Sequence, residues 1–127
     1  MSTQSSVWRR MLPAVILAAG LLQFTGCLDD DRIDHKPPTD NGSLVVDNLS
    51  ASDINVFING EQRERVRSGR WRAYDLEPGV YRLVLDEQDG ERNYRDDIDV
   101  LDGRLTVVET SYDPGNRNRF RAFTYFD

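Results

Sequence analysis

The chain is poor in the residues from which most catalytic and metal centres are built. It has one cysteine and one histidine. A single cysteine cannot close an internal disulfide, and a nucleophile of the Ser–His or Cys–His type needs its base close by in the folded part. Cys and His clusters of the zinc-binding kind are excluded by the same count. Lysine is nearly absent as well, with Lys36 standing alone against fifteen arginines. No apolar run reaches the roughly 20 residues that a membrane-crossing helix needs, and no stretch shows a convincing period of 3.6. Positive charge is in the minority, 16 basic side chains against 22 acidic ones. Such a surface is repelled by nucleic-acid phosphates, so DNA or RNA is not an expected partner.

What is present starts at the N-terminus. Trp8-Arg9-Arg10 closes a short positive region, and Met11 to Leu22 forms an apolar stretch too short to span a bilayer. Phe24-Thr25-Gly26-Cys27 follows. It resembles the lipobox of bacterial lipoproteins, with Phe24 where Leu is usual. The resemblance implies a signal peptide over residues 1–26, cleavage before Cys27, a diacylglycerol thioether on the Cys27 sulfur and an acylated amino group. It also gives the lone cysteine a purpose. Two or more acyl chains anchor stably, since each buried methylene contributes ~0.8 kcal/mol. Leu28, rather than Asp, follows the cysteine. In a Gram-negative cell that favours the outer membrane over retention in the inner one. Cleavage removes Arg9 and Arg10 but no acid, and takes the net charge from −6 to −8.

Residues 27–42 are read as a lipidated cysteine with an acidic, proline-containing tether, too poor in apolar groups to pack. His35 lies in this tether and is taken as a solvated linker residue rather than a metal ligand or pH switch. From Ser43 the composition changes to short runs of Val, Ile, Leu and aromatics between turn signals. Strands are predicted over 44–49, 54–58, 61–67, 70–76, 80–86, 94–100, 105–112 and 119–126. Ile54, Val56 and Ile58 alternate with Asn55 and Phe57, the period of one buried face. Asn59-Gly60 is a strong type I′ hairpin signal. Residues 43–127 are therefore expected to form an all-β domain, a small antiparallel sandwich of seven or eight strands.

Three pieces of this domain carry a family likeness: Asp53-Ile54-Asn55-Val56-Phe57-Ile58-Asn59-Gly60, Leu76-Glu77-Pro78-Gly79-Val80-Tyr81-Arg82-Leu83 and Leu105-Thr106-Val107-Val108. Together they resemble small β-sandwich modules of bacterial surface lipoproteins, an uncharacterised surface-domain family and the PEGA module. The resemblance implies an extracytoplasmic, non-enzymatic structural or binding role, and supplies no catalytic residue.

Three functional arrangements are compatible with the residues. The expected one is a non-enzymatic envelope lipoprotein, a structural or accessory module for another envelope protein, without cofactor or metal. The alternative is a module that binds envelope glycan or another anionic polymer through Arg63, Arg65, Arg67, Arg70, Trp71 and Arg72. There Arg63, Arg65 and Arg67 share one strand face, and an exposed Trp71 stacks on a sugar ring. The competing arrangement, which the pattern favours, has Trp71 facing the core and the arginines paired with Glu61, Glu64, Asp75 and Asp86. A similar group, Arg117, Arg119 and Arg121, lies near the C-terminus. The third is a two-carboxylate hydrolase, which requires a cleft holding two of Asp96, Asp97, Asp99 and Glu109. Asp97-x-Asp99-x-x-Asp102-Gly103 has an oxygen-rich look, but its third acid is one residue late for a calcium loop.

Overall fold

The computed structural model describes residues 33–127. The segment expected to be a signal peptide, the lipobox-like Phe24, Thr25, Gly26 and Cys27, and the first part of the expected tether lie outside the described residues. Within them the chain is all strand and turn, in eight strands: β1 (Gly42–Asn48), β2 (Ile54–Ile58), β3 (Glu61–Val66), β4 (Trp71–Leu76), β5 (Gly79–Glu87), β6 (Asn93–Val100), β7 (Leu105–Tyr112) and β8 (Phe120–Phe126).

The strands form two four-stranded sheets, one in the order β4-β1-β7-β8 and the other β3-β2-β5-β6. Every neighbouring pair is antiparallel except β1 and β7, which run parallel, Val45 beside Val107. The fold is the expected small β-sandwich of eight strands, mostly antiparallel, and this one parallel pair is the feature that turn signals did not announce. The pairing joins strands about sixty residues apart, and no turn motif encodes it. β1 and β7 are the central strands of their sheet and are buried almost throughout. That is why Leu44-Val45-Val46 and Val107-Val108 read as continuous apolar runs and not as alternating ones.

The core lies between the sheets. Leu44 and Val46 of β1, Ile54 and Val56 of β2, Leu83 and Leu85 of β5 and Val108 of β7 are fully buried there. Each such side chain contributes about 1.5–3 kcal/mol over leaving it in water. Asn59 (φ 51°) and Gly60 (φ 81°) both sit in the left-handed region, the requirement of the type I′ turn between β2 and β3. Gly42 answers a different need, because a Cβ there would lie 2.2 Å from the Leu101 carbonyl oxygen.

The chain before β1 is tied to the domain near Ser43. His35 Nε2 lies 2.7 Å from Asp75 Oδ1, and Ser43 Oγ donates to the same oxygen at 2.5 Å. His35 is thus an anchoring residue and not the solvated linker residue expected of it. The sequence signal was weak, since its partner is 40 residues away.

Candidate functional site

β3 and β4 are each the edge strand of a different sheet, joined by the short turn Arg67–Arg70. The sandwich therefore opens along a seam where the two edges meet, and the arginine-rich stretch lies on it. Arg65, Val66, Arg67, Arg70, Trp71 and Arg72 line one open depression of about 190 Å³. Beside it a second, of about 310 Å³, is lined by Arg63, Glu64, Arg72, Ala73, Tyr74 and Asp75.

Trp71 faces away from the core and is 39% exposed. This overturns the core-facing arrangement. Alternation decides it: Tyr74 is buried in the core and Leu76 packs against it, so Trp71, Ala73 and Asp75 must point the other way. Of the proposed arginine pairings, Arg72 to Glu64 is present at 2.5 Å, between two exposed side chains. Among the described residues Arg63, Arg65, Arg67 and Arg70 have no carboxylate within ion-pair distance.

Arg63, Arg65 and Arg67 do not share one face. Val56 pairs with Arg63 and Ile54 with Val66, so two steps along β2 match three along β3. The extra residue is a β-bulge, and it reverses which side chains point inward beyond it. Arg63 turns toward the seam, its guanidinium 5.8 Å from the Tyr74 ring centre. Arg65 and Arg67 flank the buried Val66 and point outward. The Tyr74 hydroxyl donates to the Glu64 carbonyl oxygen at 2.5 Å. Burial pushes its phenol well above the ordinary value of 10, so it remains a proton donor at any physiological pH.

Sequence reasoning missed what holds this seam in place. Asn48, fully buried at the end of β1, donates from Nδ2 to the carbonyls of Ser52 (2.7 Å) and Val66 (3.1 Å). Its Oδ1 accepts from the Ser50 amide (3.0 Å) and hydroxyl (2.6 Å). Its backbone takes the Gly69 amide and gives its own to Arg70. Ser68 is fixed by Asp53 Oδ1 and the Ser50 carbonyl. All the hydrogen-bonding capacity of one amide side chain is thus spent on the loop and turn that carry the depression. The signal available in the sequence was an Asn closing an apolar strand ahead of Ser50-Ala51-Ser52-Asp53, a common polar stop.

The carboxylates proposed for hydrolysis do not converge. Asp97 and Asp99 point outward from β6 in one sheet, and Glu109 points outward from β7 in the other, on the opposite side of the sandwich. Asp97 is bound to Arg82 at 2.5 Å; that bond holds its carboxyl below the ordinary range. Asp96 Oδ1 accepts the Asp97 amide. On the outer face of the β4-β1-β7-β8 sheet, Trp71, Asp47, Glu109 and Phe123 stand in one cross-strand row. Burial, then the neighbouring Glu109, raises the Asp47 carboxyl above its usual value. Of the other arginine group, Arg119 bridges to Asn93, and its carbonyl and that of Asn116 accept from Arg92.

No family model and no curated protein matches the sequence. Among solved structures, the chain is similar to the N-terminal domain of AlgF from P. aeruginosa, with a TM-score of 0.47 and 13% identity over 71% of this chain and 96% of that one.

Proposed function

We propose that the protein is a non-enzymatic lipoprotein of the bacterial envelope, anchored through Cys27, whose domain binds an anionic envelope polymer at the β3–β4 seam. The observation that carries this reading is the exposed Trp71 beside Arg65, Arg67, Arg70 and Arg72 around one depression. The guanidinium groups offer forked donors to carboxylate or phosphate, and the indole offers a flat face to a sugar ring. Four of the five candidate arginines keep their donors unspent on carboxylates among the described residues.

Charge gives the site its direction. The processed chain carries a net −8, so a polyanion is repelled over most of the surface and attracted at the seam. Asp47 and Glu109 keep an anion off the sheet face next to Trp71, which confines it to the arginine side. Membranes rich in anionic lipid are repelled in the same way, which leaves the domain standing off its own anchor.

A second reading, an accessory module docking an acidic strand of another envelope protein, is supported by the position of the depression between two edge strands. Affinity electrophoresis of the processed chain through gels holding a carboxylated polysaccharide, its carboxyl-reduced form or no polymer separates the two. Retardation by the carboxylated polymer, lost in Arg65→Glu/Arg70→Glu, supports polymer binding. Equal mobility in all three gels removes it.

A further inference from the structure

The four edges of the two sheets are not equally protected. β3 is interrupted by its bulge, and its Glu64 carbonyl is taken by Tyr74. β4 carries Arg72 and Asp75. β6 carries Asp96, Asp97 and Asp99, and its Asp99 carbonyl accepts from Thr106. These are the usual ways of blunting an edge. β8 has none of them over Ala122-Phe123-Thr124-Tyr125-Phe126, a stretch without charge, proline or glycine. Phe123 is 66% exposed and Phe126 45%. Among the described residues, the one backbone contact on its outer side is at its start, where Arg119 bridges to Asn93.

We infer that β8 is a dimerisation edge, pairing antiparallel with β8 of a second copy of this chain. Backbone geometry fixes the register. Leu105 and Asp127 exchange both hydrogen bonds, so Asp127, Tyr125, Phe123 and Arg121 turn their backbone groups toward β7. Phe126, Thr124 and Ala122 turn theirs outward. A two-fold axis at Thr124 satisfies all three, setting Ala122 opposite Phe126 and Thr124 opposite Thr124, with about six backbone bonds.

The same register sets Phe123 opposite Tyr125 and Arg121 opposite Asp127, each twice. Aromatic and opposite-charge cross-strand pairs are the favourable kinds, and the surface is complementary to itself, as a two-fold interface requires. An axis one residue earlier needs the backbone of Phe120, next to the residue already bridged to Asn93. The acids of β6 belong to the other layer, about 10 Å from the pairing strands, and salt screens their repulsion across the axis.

Pairing makes one continuous eight-stranded sheet with β4 at both ends. Seven strand spacings set the two β4 strands about 34 Å apart. If the seam binds a polymer, which rests on the reading above, the dimer engages it twice and gains avidity without a new contact.

The test is cysteine crosslinking of the full-length chain in membranes, at 150 mM salt. Opposed Cα atoms at the axis are ~5.5 Å apart, within disulfide reach. Thr124→Cys is expected to give a disulfide dimer on mild oxidation, while wild type, which reports on Cys27, and Gly115→Cys in the β7–β8 turn do not. In detergent, wild type is expected to have dimer mass, and Thr124→Pro monomer mass with an unchanged circular dichroism spectrum. A wild-type monomer at about 100 μM overturns the inference. So does a dimer that persists in Thr124→Pro without a Thr124→Cys crosslink. These readouts are independent of polymer binding, so either claim can fail alone.

Discussion

Replacing Asn48 by alanine should be among the most damaging single polar changes in the domain. The side chain is fully buried and makes four hydrogen bonds, two given and two received. Truncation leaves the Val66 carbonyl and the Ser50 amide and hydroxyl without that partner, in a place water reaches poorly. A buried group left unpaired costs about 1–3 kcal/mol, reduced where a neighbour or an entering water takes its place. Counting about 1 kcal/mol for each of those three groups gives a loss near 3 kcal/mol. For a domain of this size that is a fall in Tm of roughly 12–24 °C. Asn48→Asp should do no better, because it keeps the Ser50 bonds but sets a carboxylate against two carbonyls. Urea and thermal unfolding followed by circular dichroism measure both, with Leu49→Ala, at an exposed neighbour, expected within about 0.5 kcal/mol of wild type. A loss below about 1 kcal/mol for Asn48→Ala would refute the claim that this amide organises the seam.

Three further outcomes are expected from the same assays. Gly60→Ala places a side chain at φ 81° with no atom near it to clash, so its cost is backbone strain alone, about 1–2 kcal/mol in urea unfolding. Asp47 has a raised folded-state pKa, so its contribution favours folding at low pH and is lost as pH rises through that value. Asp47→Asn should therefore raise Tm at pH 7, with the gain vanishing in acid. Asp75 is the opposite case. Burial pulls its carboxyl upward, but the bonds from Ser43 and His35 outweigh that and hold it below the usual value. Its stabilisation is present above the ordinary carboxylate range and lost as pH falls through the lower folded value; Asp75→Asn should flatten that acid limb of the stability curve.

Much of the fold was legible in local pattern. Ile54, Val56 and Ile58 state one buried face, and Asn59-Gly60 states the turn that follows. What the pattern could not carry was pairing at a distance. Nothing near Val45 names Val107 as its neighbour, and nothing near His35 names Asp75. The arginine face failed for a different reason. Alternation along 61–67 holds only while the two strands advance together, and a single bulged residue sends Arg63 to the other side from Arg65 and Arg67. Trp71 was readable after all: with Tyr74 and Leu76 as the core residues of their strand, parity puts the indole outside with Asp75.

The proposed function requires that the seam bind an anion. Isothermal titration of the processed chain with a carboxylated polysaccharide, at low and at 150 mM salt, tests this most directly. Binding is expected to weaken with salt, to disappear with the carboxyl-reduced polymer and to drop about thirtyfold in Arg65→Glu/Arg70→Glu, roughly 2 kcal/mol for reversing two exposed charges. Heat of binding that is the same in wild type and in that variant, or no heat at all at low salt, would contradict it.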